Sequence, residues 1–243
     1  MDTLTIPADD GRHFDAYLAL PGHGRRAPGL VLLQYICGVN GVMRTLADGY
    51  AKLGYAVVVP DLYWRQGANI RLIEDPSRPD PVEQARALEL NAGFDDAAAS
   101  RDLQATLNAL RGLASCDGRV GALGYCLGGR LAYLMATRTD VDCAVGYYAV
   151  NLQNYLDEAS QIRSPLMLHM ACEDMLVPAP VRDRVCQSLQ TVPGVELLVY
   201  SKVNHAFALP GGPNHSAEAA ASANAASERF LSTHLPPRPP VGA

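Results

Sequence analysis

A cysteine stands at the centre of the most informative motif in this sequence. The apolar run 120–125 leads directly into Cys126, and glycines lie two positions before it and two after it, at Gly124 and Gly128. A strand that turns at once into a helix strains the residue at the turn, and small neighbours relieve the crowding. The side chain would stand at a helix N-terminus, where partial positive charge favours a thiolate. The motif predicts a nucleophilic Cys126, with the amide of Leu127 as a donor to an oxyanion.

Two further residues follow predicted strands in the order that a catalytic triad of this type requires. Asp174 comes after the apolar run 165–170, and His205 comes after the run 195–200. The order nucleophile, acid, histidine predicts His205 as the general base and Asp174 as the group that orients it. Taken singly, each residue has a simpler interpretation, as an inert buried cysteine, a turn aspartate and a structural histidine. The coincidence of all three favours the triad.

These residues require a sheet whose parallel strands all end at one edge, and the pattern of the chain predicts such a sheet. Short apolar runs rich in β-branched residues alternate with segments of helical composition, which is typical of the α/β class. The predicted buried strands are 29–34, 56–59, 120–125, 165–170 and 195–200, preceded by an antiparallel edge hairpin of 4–7 and 13–20. The predicted helices are 42–53, 81–110, 127–137, 179–189 and 216–231.

The length of 243 residues fits one domain, which we place at residues 1–235. The segment 66–81 is too rich in proline for a regular element, and we expect a loop over one end of the sheet, where substrate selection often resides. Residues 236–243 are dominated by proline, and we expect an extended, disordered tail. The sequence shows neither an internal repeat nor a second domain.

Composition argues against several classes of partner. The net charge is −5 with no cluster of Lys and Arg, which argues against nucleic acid. No run approaches the roughly 18 apolar residues of a membrane span, and the first residues lack the pattern of a secretory signal. The six cysteines form no CxxC pair and have no histidine at zinc-finger spacing. We therefore expect reduced thiols in the cytoplasm, no metal site, and a protein that is a monomer or a small homo-oligomer.

Beyond the elbow and the triad order, several stretches resemble the dienelactone hydrolases, also called carboxymethylenebutenolide hydrolases, over most of the chain. They are 38–40, 43–44, 60–63, 144–148, 177–180 and 205–208. The resemblance implies an α/β-hydrolase fold, with a mostly parallel twisted central sheet and helices on both faces. It also implies hydrolysis of a small-molecule ester or lactone through an acyl-cysteine intermediate, without metal or organic cofactor. The oxyanion would be held by the amides of Leu127 and Ile36.

The sequence departs from the family where the family contacts its substrate. Tyr35 stands where the family has a glutamate that contacts the thiol; it could hydrogen-bond thiol, substrate or oxyanion, or merely fill space. Without that glutamate we expect His205 to activate Cys126 directly. Two arginines that clamp the substrate carboxylate in the family align with Val82 and Leu209.

The lost arginines predict a substrate other than the usual carboxylated dienelactone, with a more hydrophobic acyl or alcohol group. Arg86, one helical turn beyond the first lost arginine, is a candidate replacement, although an exposed arginine of structural role is the commoner case. The candidate substrate-binding residues are Tyr35, Cys37, Trp64, Arg86, Tyr147, Phe207 and Leu209.

Two other functions stay open from the sequence. A catalytically weak ligand-binding protein could retain this fold with a retuned pocket. A redox or thiol-exchange role could follow if the loop carrying Cys37 approaches Cys126, although Cys37 is also a plausible apolar filler in place of the family's aromatic residue.

Overall fold

The computed structural model describes residues 2–22, 24 and 26–237, and its centre is one sheet of eight strands. The strands at 27–33, 56–60, 144–147 and 166–171 are short and wholly buried, as expected of apolar, β-branched runs. The run 195–200, predicted as a buried strand, instead lies at the edge of the sheet and is partly exposed. The strands are β1 (Asp2–Pro7), β2 (His13–Ala19), β3 (Ala27–Leu33), β4 (Ala56–Pro60), β5 (Cys116–Tyr125), β6 (Ala144–Tyr147), β7 (Leu166–Ala171) and β8 (Val195–Tyr200).

The strand order is β1-β2-β4-β3-β5-β6-β7-β8, which places β5 near the centre of the sheet. The β1–β2 and β2–β4 pairs are antiparallel, and every pair from β4 to β8 is parallel. The parallel strands therefore all end at the same edge. The α/β-hydrolase fold expected from the sequence is confirmed, and so is the edge hairpin.

Helices cover both faces of the sheet because each face of the apolar strands must be buried. One layer contains α1 and α6, whose Met43 and Ala223 are fully buried, and the other contains α3 and α4, represented by Leu107 and Leu131. The helices are α1 (Gly41–Lys52), α2 (Pro81–Ala92), α3 (Asp96–Gly112), α4 (Leu127–Arg138), α5 (Ala179–Leu189) and α6 (Ala217–His234).

One predicted helix needs correction, and two elements were not predicted. The single helix predicted over 81–110 is two helices, because Gly93 ends α2 and the Asp95 carboxylate caps α3 by accepting hydrogen bonds from its first amides at 2.9 and 3.0 Å. Strand β6 was not predicted; it has only four residues, one of them glycine. A 3-10 helix at Leu152–Gln161 was also missed.

The segment 66–80 contains no helix or strand, as predicted, and a single bridge between Gly38 and Arg71 ties it to the loop after β3.

The first residues of the predicted tail are held in place: Arg119 donates a hydrogen bond to the carbonyl of Pro236 at 2.9 Å. The rest of that predicted tail, 238–243, lies outside the described residues. None of the helices described is long and apolar enough to cross a membrane.

Candidate active site

Cys126 occupies the turn between β5 and α4 in a strained conformation, with φ of 58° and ψ of −112°. The flanking glycines are required by close approach of the backbone. A Cβ on Gly124 would lie 2.2 Å from the carbonyl oxygen of Gly128, and a Cβ on Gly128 would lie 2.3 Å from that of Leu33. The sequence therefore folds as a nucleophile elbow that holds the sulfur at the carboxyl edge of the sheet.

The loops after β7 and β8 bring Asp174 and His205 to the same edge. Nδ1 of His205 lies 3.1 and 3.0 Å from the two carboxylate oxygens of Asp174, and both residues are buried. Because Nδ1 is taken by the carboxylate, Nε2 is the ring nitrogen left for the sulfur of Cys126. The three predicted residues are thus brought together by β5, β7 and β8.

Hydrogen bonds within and between these two loops fix the geometry of the acid and the histidine. Oδ1 of Asp174 accepts from the amides of Leu176 at 2.9 Å and Val177 at 3.2 Å. Oδ1 of Asn204 accepts from the amide of His205 at 2.7 Å and from that of Met175, in the other loop, at 3.0 Å. The imidazole is therefore held by its neighbours before any substrate binds.

The environment of His205 favours its protonated form. Burial alone would lower the pKa of the imidazole, but hydrogen bonds to Asp174 and Cys126, with the negative charge of both partners, raise it to about 10. By contrast, His169 lies inside β7 between Tyr200 and Ser227, and burial lowers its pKa to about 3. His169 is thus a core histidine whose two ring nitrogens both have partners.

The raised pKa of His205 predicts a pH-dependent contribution to stability. An unfolded histidine titrates near 6.5 and the folded one near 10, so the native state binds the extra proton between these values. The stabilisation is complete below about pH 6.5 and is lost as the pH rises toward 10. Because the Cys126 thiol can supply this proton within the native wild type, the test uses Cys126→Ala: we expect its free energy of unfolding, measured by urea titration, to fall from pH 6.5 to 8.5 more steeply than that of the double variant Cys126→Ala/His205→Gln. Parallel pH curves for the two proteins would contradict this assignment.

Two amides are available to stabilise negative charge next to the sulfur. Leu127 is the first residue of α4, and Ile36 lies in the loop after β3 that lines the cavity beside Cys126. Within the described residues, neither amide donates a hydrogen bond to a protein acceptor. Both predicted oxyanion donors are therefore free to bind a ligand oxygen.

A cavity of about 210 Å³ opens over Cys126 and His205. Its walls are almost entirely apolar, and the 66–80 segment contributes Ile73, Pro76 and Pro79. None of the described lining side chains is Lys, Arg, Asp or Glu. Nor does the described part of the chain contain a group of three His, Cys, Asp or Glu that could hold a metal ion. The cavity suits a neutral, largely apolar ligand.

Three of the predicted substrate-binding residues line this cavity: Tyr35, Cys37 and Leu209. The hydroxyl of Tyr35 accepts a hydrogen bond from Nδ2 of Asn40 at 2.6 Å and also hydrogen-bonds the thiol of Cys37. Burial raises the pKa of Tyr35 above its usual value and that of Cys37 to about 12, although the hydrogen bond from Tyr35 opposes the second shift. The Tyr35 hydroxyl thus hydrogen-bonds to Cys37, which lines the cavity together with Cys126.

The structure does not bring the other four predicted residues to the cavity. Trp64 stacks on a phenylalanine elsewhere and donates to a buried aspartate, and Arg86 is exposed and paired with a glutamate of its own helix. Tyr147 is the last residue of β6, and its hydroxyl hydrogen-bonds to the side chains of Asn224 and Ser227 in α6. Phe207 is fully buried among aromatic rings.

Sequence reasoning missed the aromatic wall formed by Tyr125 and Tyr148 and the rim residues Leu176 and Pro213. Tyr125 precedes the nucleophile and Tyr148 follows β6, so the same end-of-strand rule that found the triad could have found both. Tyr148 directly follows β6, so it can be assigned to the active-site edge of the sheet only when β6 is recognised as a strand.

The chain is similar to known proteins over nearly its whole length. The model of the dienelactone hydrolase family matches residues 14–235. A carboxymethylenebutenolidase of Pseudomonas putida is 37% identical over 228 residues, covering 94% of each chain. Carboxymethylenebutenolidase 1 of Cupriavidus pinatubonensis is 35% identical over 230 residues, covering 95% of this chain and 96% of the relative.

Among solved structures, a dienelactone hydrolase-like promiscuous phosphotriesterase from metagenomic libraries has a TM-score of 0.78 at 22% identity, covering 96% of this chain and 98% of that one. A likeness at that identity shows the fold. The family match and the full-length relatives go further: the chain belongs to the dienelactone hydrolase family, and with that family it is a hydrolase of ester bonds.

Proposed function

We propose that this hydrolase cleaves a neutral ester or lactone through an acyl-cysteine intermediate, with Cys126 as nucleophile, His205 as base and Asp174 as the group that orients the base. The observation that carries the proposal is the convergence of these three side chains beside two free amides at the floor of one cavity. Cytoplasmic location is proposed with it, since all six cysteines are free.

The first half of the reaction transfers the acyl group to sulfur. Nε2 of His205 takes the proton of the Cys126 thiol, and the sulfur attacks the acyl carbon to form a C–S bond. The electron pair of the carbonyl moves to oxygen, where the amides of Ile36 and Leu127 stabilise the charge. The intermediate then collapses, the C–O bond breaks, and the departing oxygen takes the proton from His205.

The second half releases the acid. His205 removes a proton from a water molecule, which attacks the acyl carbon, and the C–S bond breaks as the carbonyl reforms. The sulfur of Cys126 regains its proton from His205, so the enzyme returns to its starting state. In a lactone, the alcohol oxygen stays tethered to the acyl group through both steps.

A burst experiment with p-nitrophenyl acetate separates this proposal from a protein that only binds ligands. The proposal expects rapid release of about one nitrophenol per protein, followed by slower turnover as the acyl-cysteine hydrolyses. Nitrophenol release no faster than in buffer, by a folded protein that still binds an apolar ester, would instead favour the binding protein.

The absence of lysine and arginine among the described residues lining the cavity predicts selectivity against carboxylated substrates. We expect the wild type to hydrolyse a neutral lactone with a higher kcat/KM than the same lactone bearing a carboxylate. Leu209→Arg places a guanidinium in the cavity wall, and it should improve kcat/KM for the carboxylated lactone about tenfold, the lower end of what a charge-assisted contact contributes.

Val82→Arg is the matched control, because this position aligns with the other family arginine but is 77% exposed and does not line the cavity. It should leave the selectivity unchanged. Gln84→Arg offers a second position in the wall if Leu209→Arg folds poorly. A wild type that already prefers the carboxylated lactone would contradict the neutral substrate class.

A further inference from the structure

The hydroxyl of Tyr148 is a buried polar group without a protein partner in the wall of the active-site cavity. The residue is 2% exposed and lines the cavity, and its hydroxyl makes no hydrogen bond within the described structure. The two other tyrosines considered for this site differ: the Tyr35 hydroxyl meets Asn40, and the Tyr147 hydroxyl lies outside the cavity. An unpaired buried hydroxyl is costly, so one on a residue that lines a ligand cavity points to a ligand atom as its partner.

The backbone and the ring of Tyr148 are both held by their neighbours. Its backbone has φ of 36°, and its amide donates to the carbonyl of His169 at 2.7 Å. The ring packs edge-on against His205, with centroids 5.0 Å apart, and against Phe207 at 5.5 Å. A strained backbone held in this way is typical of residues placed for function.

The order of the strands places Tyr148 on a definite side of the nucleophile. Ile36 follows β3, which lies on one side of β5, whereas Tyr148 follows β6, which lies on the other. Beyond β6 come β7 and β8, which carry Asp174 and His205. Tyr148 therefore lies on the histidine side of Cys126, opposite the second oxyanion donor.

The proton that leaves His205 goes to the departing alcohol oxygen, so that oxygen must lie on the histidine side during collapse of the intermediate. Burial keeps the pKa of Tyr148 well above its ordinary value, and the phenol is therefore a donor throughout. We infer that the Tyr148 hydroxyl donates a hydrogen bond to the departing ester or lactone oxygen as the C–O bond breaks. This inference rests on the proposed function; it adds a third donor, and His205 still supplies the proton.

The test varies the basicity of the departing oxygen in Tyr148→Phe. With acetate esters of increasingly basic alcohols, the loss in kcat/KM relative to wild type should grow, from less than about twofold for p-nitrophenyl acetate to about 10- to 100-fold for an alkyl ester. A nitrophenolate leaves without help, whereas an alkoxide needs stabilisation. Because an unpaired hydroxyl is removed, the Tm should stay equal to or above that of the wild type.

Tyr63→Phe is the matched control, since Tyr63 also has a buried hydroxyl without a partner but does not line the cavity. It should show no dependence on the alcohol. If Tyr148→Phe lost the same factor in kcat/KM with every alcohol, Tyr148 would act on the oxyanion instead. If it lost nothing with any alcohol, Tyr148 would have no role in the reaction. Either result overturns the inference. Nitrophenol release by Tyr148→Phe tests the proposed function separately, because release no faster than in buffer by wild type and variant alike would reject the proposed function itself.

Discussion

Cys126→Ala is expected to lower kcat for ester hydrolysis by at least about 10⁴-fold, the order of magnitude seen when the nucleophile of a triad is removed. No other thiol among the described lining residues can take over the reaction. Cys37 lines the same cavity, but burial raises the pKa of its thiol to about 12, so it stays protonated at neutral pH. Steady-state hydrolysis of p-nitrophenyl acetate measures the loss.

Cys172→Ala is the control for this variant, because Cys172 is exposed and lies outside the cavity. It should retain full activity. The thermal unfolding of Cys126→Ala should remain cooperative, since the strained elbow is fixed by its glycines and not by the sulfur. Activity within a fewfold of wild type in Cys126→Ala would exclude the cysteine mechanism.

Asp174→Asn is expected to lower kcat by about 10³- to 10⁴-fold with little change in fold. The carboxylate accepts from Nδ1 of His205 and so leaves Nε2 free to take the thiol proton. An amide that turns its NH₂ toward Nδ1 would stabilise the opposite tautomer, in which Nε2 already carries a proton. Initial rates measured across neutral pH give the size of the effect.

Glu173→Gln makes the same chemical change one residue away, at an exposed position outside the cavity, and it should be nearly silent. In Asp174→Asn, the remaining side-chain oxygen can still accept from the amides of Leu176 and Val177, so the loop should persist. Equal rates for Asp174→Asn and Glu173→Gln would remove the acid from the proposed triad.

The sequence predicted the parallel sheet and the meeting of three side chains because both follow from local patterns. Buried strands are short apolar runs, and parallel strands must end at one edge, so residues directly after them converge. Cys126, Asp174 and His205 each obey that rule. The break between α2 and α3 was also visible in principle, as Gly93 followed by an aspartate that caps the next helix.

The cavity wall was predicted less well, because it depends on which way large side chains turn after the chain has folded. Trp64 and Phe207 are aromatic and near the predicted edge in sequence, but burial against other rings takes them away from the cavity. Tyr148 was overlooked because β6 is too short to be recognised from four residues. The partners of Tyr35 likewise required the fold, since Asn40, which donates to the Tyr35 hydroxyl and to the carbonyl of Ile73, is positioned only in three dimensions.

The central claim is that an acyl group is carried on one sulfur during turnover, and mass spectrometry of acid-quenched protein tests it most directly. Wild-type protein mixed with p-nitrophenyl acetate and quenched within the burst should carry one acetyl group, which peptide mapping should assign to Cys126. Protein that turns over the ester while remaining unmodified, or that carries the acetyl group on another residue, would contradict the claim.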